Sequence, residues 1–252
     1  MDDLSNPIQW SVLFGVGIVA GAINTIAGGG SLLSLPALIF LGFPAPIANG
    51  TNRIGVLIQS LTATIQFRRD RELQVRGAVL PLAATIIGAT IGAIVSVDLD
   101  EQLLERAIGA AMIVMLALLL FRPKQWLDPT DEPVEPLWVQ AIAFFAIGAY
   151  GGLLQAGVGF FVLTGLVRLG RFGLIRANGA KSFVITIFSL PAVGVFVLHD
   201  LIAWAAGFAL AIGSALGGWA GARMAVGWGP KFVRSVLIVT VLAFSTKLLG
   251  FW

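Results

Sequence analysis

Apolar runs of close to twenty residues follow one another along this chain, with little polar alternation inside them and with charge gathered in the short segments between. At about 1.5 Å per residue such a run crosses about 30 Å of hydrocarbon, so the pattern predicts membrane-spanning helices. Helices are expected at 10–27, 31–43, 46–67, 75–96, 101–121, 137–156, 159–169, 174–198, 200–222 and 230–250. The segments 31–43 and 159–169 are too short to cross, and each follows glycines that interrupt the preceding run. We therefore expect 10–27 with 31–43, and 137–156 with 159–169, to form hairpins that dip into the membrane, their glycine turns meeting near the midplane from opposite faces. Broken helices expose peptide groups, which lipid tolerates only where they line a protein cavity or bind something polar.

The same pattern occurs twice. Ala27-Gly28-Gly29-Gly30 leads to Ala48-Asn49-Gly50, and Ala156-Gly157-Val158-Gly159 leads to Ala177-Asn178-Gly179. An offset of 129 residues aligns these without a gap and also pairs Phe43 with Phe172 and Ser60 with Ser189. Internal duplication is the simplest account. Between the copies, Pro123, Pro129, Pro133 and Pro136 stand among four acids, the composition of a solvated linker. The expected organisation is a first membrane repeat at 1–121, a cytoplasmic linker at 122–136 and a second repeat at 137–252.

Lysine and arginine in short loops set the expected orientation. The loop from Arg68 to Arg76 is the most basic and is placed in the cytoplasm, with Asp98, Asp100 and Glu101 outside and Arg122 and Lys124 inside again. Arg168, Arg171 and Arg176 mark a cytoplasmic edge, His199 and Asp200 the opposite side, and Arg223, Lys231 and Arg234 the cytoplasm. The helix bearing Asn49 then runs inward and the helix bearing Asn178 outward, with both termini external. The fold class is all-α: a polytopic transmembrane bundle of two inverted-topology repeats, each a glycine-broken hairpin plus three transmembrane helices.

Composition changes this picture little. The chain is 58% hydrophobic and 12% charged with a mean hydropathy of +0.93, more apolar surface than a water-soluble fold of 252 residues can hide. Lipid is its surrounding partner. Trp10, Trp126, Trp138, Trp228 and Trp252 fall near segment ends, as in an interfacial belt, whereas Trp204 and Trp219 do not. Acids at Asp2 and Asp3, where a secretory signal would be basic, mark the first apolar run as retained. No cysteine is present, so thiol chemistry is excluded. No cofactor or metal is expected, and a net charge of +3 without a basic run gives no reason to expect nucleic acid. Composition fixes no oligomeric state.

The candidate chemistry sits at the breaks. Gly28, Gly29, Gly30 and Ser31 open one short helix, Gly157 and Gly159 another, and a helix amino end attracts anions through its free amides and dipole. Together the two outline one central site on the pseudo-twofold axis. Asn49, Asn52 and Arg53 lie on the first turns of one long helix, and Asn178, Lys181 and Ser182 on the first turns of the other. Asn24 and Gln155 flank the breaks as possible hydrogen-bond donors. Arg53 and Lys181 lie deep, where an unpaired cation costs at least about 3 kcal/mol, and no acid in the sequence stands near them. A transported anion is the expected counterion. The same scarcity of intramembrane acids disfavours a carboxylate proton relay, and uniport or substrate-borne proton movement fits at least as well.

The run from Gly28 through Ser31-Leu32-Leu33-Ser34-Leu35-Pro36-Ala37-Leu38, then Gly42-Phe43-Pro44 and Ala48-Asn49-Gly50-Thr51-Asn52, resembles the TauE/SafE family of bacterial sulfite and organosulfonate exporters. The resemblance covers most of the chain. It implies a cytoplasmic-membrane permease, not an enzyme, that expels small inorganic or organic sulfur oxyanions such as sulfite or sulfoacetate. Val158 interrupts the second glycine run and Ala180-Lys181 replaces Thr51-Asn52, so the two halves are not expected to play equal roles. A passive anion channel, or a permease for another small anion, is the nearest alternative. An intramembrane enzyme would need a nucleophile with its base, or a metal cluster, at a depth where the sequence offers no such set.

Overall fold

The structure is a computed structural model and describes residues 7–75, 79–121 and 135–248. All regular structure among these residues is helical: α1 (Pro7–Ala27), α2 (Ser31–Phe40), α3 (Ala45–Arg69), α4 (Val79–Val97), α5 (Glu101–Phe121), α6 (Leu137–Leu153), α7 (Val158–Arg168), α8 (Leu174–Leu198) and α9 (Trp204–Leu248). Residues 122–134 of the expected linker, with Trp126, and likewise Arg76 and Trp252, lie outside the described residues. Two expected helices, 200–222 and 230–250, are one element broken at Gly229, where φ is 74°. Helix 137–156 ends early, at Leu153.

Local chemistry sets the ends. Pro44 precedes α3 in an extended conformation and Pro46 occupies its first turn, where a missing N–H costs nothing. Arg68 and Arg69 close α3 against the negative end of its dipole. Asp100 accepts a hydrogen bond from the Gln102 amide at 3.0 Å and starts α5. Among the described residues three helices are long and apolar enough to cross a membrane: Ile8–Ala27, Leu174–Leu198 and Trp204–Gly229. The short arms α2 and α7, of 10 and 11 residues, reach about 15 to 17 Å.

Features of the first half recur 129 residues on. The bounds of α3 become those of α8, and the left-handed residues Gly28, Gly42 and Arg71 are matched by Gly157, Arg171 and Asp200. Partners are exchanged in the same way, since α1 packs along α9 while α6, which follows the linker as α1 opens the chain, packs along α4. The helices α3 and α8 lie antiparallel at the centre. At one end Glu72 sits 3.7 Å from Arg176, and at the other the Ala203 amide donates to Thr51 Oγ1 at 2.9 Å.

Close packing of α4 on α6 depends on small residues. A Cβ on Gly92 would fall on the carbonyl of Ala149, and Gly88 meets Phe145 in the same manner. Gly92→Leu should therefore lower stability by about 1 to 3 kcal/mol, seen as a reduced melting temperature of the detergent-purified protein. An unchanged melting temperature would show that the helices do not approach this closely.

Candidate substrate site at the meeting of the glycine turns

The two glycine turns touch. Helix α1 closes at Gly28, whose amide donates to the Asn24 carbonyl at 2.9 Å with φ at 84°. A Cβ there would strike the Phe160 amide, and one on Gly159 would lie 2.7 Å from Gly28 Cα. Ser31 joins the turns from the side: its hydroxyl donates to the Gln155 carbonyl at 3.0 Å and accepts from the Gly157 amide at 2.9 Å. At the point of contact backbone lies against backbone, with no open space between the tips. Gly30 is needed for the fold as well, since its Cβ would fall on the Ala20 carbonyl, whereas Gly29 faces open space apart from Leu32 at 3.7 Å.

The buried cations also differ from expectation. Arg53 donates to the carbonyls of Gly151 at 3.2 Å, Gly152, and Leu153 at 3.5 Å, and its guanidinium lies 4.3 Å over the Phe196 ring. Asn49 supports it, donating to the Leu153 carbonyl at 2.8 Å and to Ser96 Oγ at 3.0 Å and accepting from Arg53 at 3.5 Å. Across the centre Lys181 Nζ donates to the carbonyls of Asn24 at 2.9 Å and Thr25 at 2.7 Å and to Asn178 Oδ1 at 2.7 Å. Asn178 donates to the Ile26 carbonyl at 3.2 Å. Each cation therefore holds the last carbonyls of the broken helix in the other half, α6 for Arg53 and α1 for Lys181. Those carbonyls stand in the last turns, where intrahelical donors run out and the dipole is negative, although the Asn24 carbonyl also accepts from the Gly28 amide. These neutral backbone oxygens accept the cations' hydrogen bonds without cancelling their charge, and no acid is buried beside them among the described residues. Three donors exhaust the Lys181 ammonium, while Arg53 keeps a buried Nε with no partner.

Room remains to one side, between α1, α2, α3 and α9. A narrow cavity with space for about one water is lined by Asn24, Gly30, Ser31, Ser34, Asn52 and Gln59, with Ser214 on its far wall. Asn24 Nδ2 donates to Gln59 Oε1 and Gln59 Nε2 to Thr25 Oγ1, both at 2.6 Å. Ser34 Oγ donates to Asn52 Oδ1 at 2.6 Å, while Asn52 Nδ2 is buried without a partner. Gln155 is buried too, in a left-handed conformation with φ at 56°, and neither polar atom of its side chain is bonded. Ser182 turns back to the Asn178 carbonyl at 2.9 Å and does not reach the turns.

Gln59, which lines this cavity, and Thr25, which accepts its hydrogen bond, are candidate residues that sequence reasoning missed. For Gln59 a signal exists, an uncharged polar residue seven positions after Asn52 in an apolar run, hence on the same helix face.

A family model described as "Sulfite exporter TauE/SafE" matches residues 13–248. The probable membrane transporter protein YfcA of Escherichia coli K12 is 29% identical over 244 residues, covering 97% of this chain and 91% of its own. Similar matches are the probable membrane transporter proteins ORF9 of Sinorhizobium sp, 28% identical over 94% of this chain and 91% of its own, and of Haemophilus influenzae, 27% identical over 94% and 93%. No solved structure matches.

Proposed function

This chain belongs to the TauE/SafE sulfite exporter family of membrane transporters, and we propose that it carries small sulfur oxyanions such as sulfite or sulfoacetate across the bacterial cytoplasmic membrane by alternating access. The observation that carries this proposal is electrostatic. Two helix amino ends and two buried cations surround one contact, and no aspartate or glutamate is buried among the described residues. Such an interior has positive potential and favours a negative solute.

An inverted arrangement of the halves at 1–121 and 137–252, with a cytoplasmic linker and external termini, is part of the same proposal. The antiparallel course of α3 and α8 supports it, as does the recurrence of left-handed residues at a fixed offset. The sealed contact of Gly28 on Gly159 would then be the barrier about which the halves rock, opening the neighbouring cavity to one side at a time.

Purified protein in liposomes should take up sulfite with saturable kinetics, faster when sulfite is present on the far side. Uptake that rises linearly with concentration and carries steady current would instead identify a channel. No flux of sulfite, sulfoacetate or thiosulfate would remove the sulfur oxyanion from consideration.

A further inference from the structure

We infer that the chain holds its anion in a single off-axis subsite in the first half, built by Asn52, Gln59 and the amino end of α2, and that the second half has lost the equivalent. This rests on the transport proposed above and names where the solute sits. Every polar wall of the first-half cavity is neutral, so the anion is gripped by hydrogen-bond donors while Arg53 and Lys181 supply potential from behind. Asn52 lines this cavity and is fully buried, and its Nδ2 has nothing to donate to, an arrangement that costs free energy unless a ligand uses it. Gly30 and Ser31, at the amino end of α2 where backbone amides lack helical partners, line the same space. Gln59 Nε2 spends one proton on Thr25 and retains another.

The matching positions 129 residues on are filled. Ser31, Ser34 and Gln59 are replaced by Phe160, Leu163 and Phe188, all of which are buried, and Gly21 by Tyr150. Asn52 is replaced by Lys181, whose three donors are consumed by α1 and Asn178. What is a polar cleft in one half is hydrocarbon and aromatic packing in the other. Because the existing space admits about one water, the α2 arm must shift outward for a sulfur oxyanion to enter.

The test uses full-length protein in lipid nanodiscs with sulfite as titrant, read by calorimetry, and sulfite uptake by liposomes carrying the same variants. Wild type should bind one sulfite per chain. Asn52→Asp keeps the oxygen that accepts from Ser34 while replacing the free donor by negative charge, and Gln59→Glu does the same beside it. Each should weaken sulfite binding by about tenfold or more with the melting temperature close to wild type. Phe188→Leu, in the second half, should leave affinity unchanged. Two sulfites per chain, or wild-type affinity in both acidic variants, would overturn the one-sided subsite while leaving transport intact. If either acidic variant unfolds, Asn52→Ser, which removes the amide donor without adding charge, must show the same loss of affinity, and unaltered binding there also overturns the subsite. A wild-type protein that neither binds nor moves sulfite defeats the transport proposal itself.

Discussion

Arg53→Ala is expected to abolish sulfite uptake and, at the same time, to cut the yield of folded protein severely. The guanidinium donates to the carbonyls of Gly151, Gly152 and Leu153 at the end of α6, where Arg53 and both glycines are buried and Leu153 is half-buried. Alanine would remove the Arg53 donors from the Gly151 and Gly152 carbonyls, leave that of Leu153 to Asn49 alone and open a void beside Phe196, at a cost of about 1.5 to 3 kcal/mol for each charge-assisted bond lost. A residue that acted only as a ligand for the solute would lose transport and keep its fold. Size-exclusion profiles of the solubilised protein, set beside uptake per folded molecule, separate the two roles. Arg53→Lys retains a cation but not the fork that reaches successive carbonyls, so partial folding and partial uptake should result. Wild-type folding of Arg53→Ala would show that the clamp on α6 is dispensable.

Gly28→Ala should be nearly as damaging, and Gly29→Ala nearly silent. Gly28 combines a left-handed backbone, which costs other residues about 1 to 3 kcal/mol, with contact so close that its missing Cβ would strike the Phe160 amide. Its neighbour has neither constraint, its nearest obstacle being Leu32 at 3.7 Å. The pair can be compared in one experiment by melting temperature and sulfite uptake. Equal behaviour of the two variants would mean that the turns do not meet as described. A bulky replacement at Gly30, which would look from sequence like a probe of the site, breaks the hairpin first because Ala20 lies against it.

Helix positions were legible because the period and length of apolar runs follow from the lipid surroundings, and the bounds of α8 at Leu174–Leu198 match the expected ones. The turns at Gly28 and Gly157 could be read from glycines interrupting those runs, and their convergence from the shortness of the arms that follow. Less was legible of what the buried cations do. Backbone carbonyls of Gly151 or Thr25 leave no trace in side-chain pattern, so the sequence alone shows no partner for Arg53 or Lys181. The side cavity escaped for a related reason. It is made where α1, α2, α3 and α9 converge, and a sequence offset reveals equivalence between halves but not which of two equivalent spaces stays open.

The want of a buried acid among the described residues bears on why traffic through such a carrier should run outward. For a solute that crosses with its own charge and no coupled proton, the driving force is its own electrochemical gradient. Across a cytoplasmic membrane held negative inside by about 100 mV, each unit of negative charge gains about 2.3 kcal/mol on leaving. That sustains roughly a fiftyfold excess outside over inside for a monoanion at equilibrium. The cell's standing voltage would make a plain anion carrier into an efflux device.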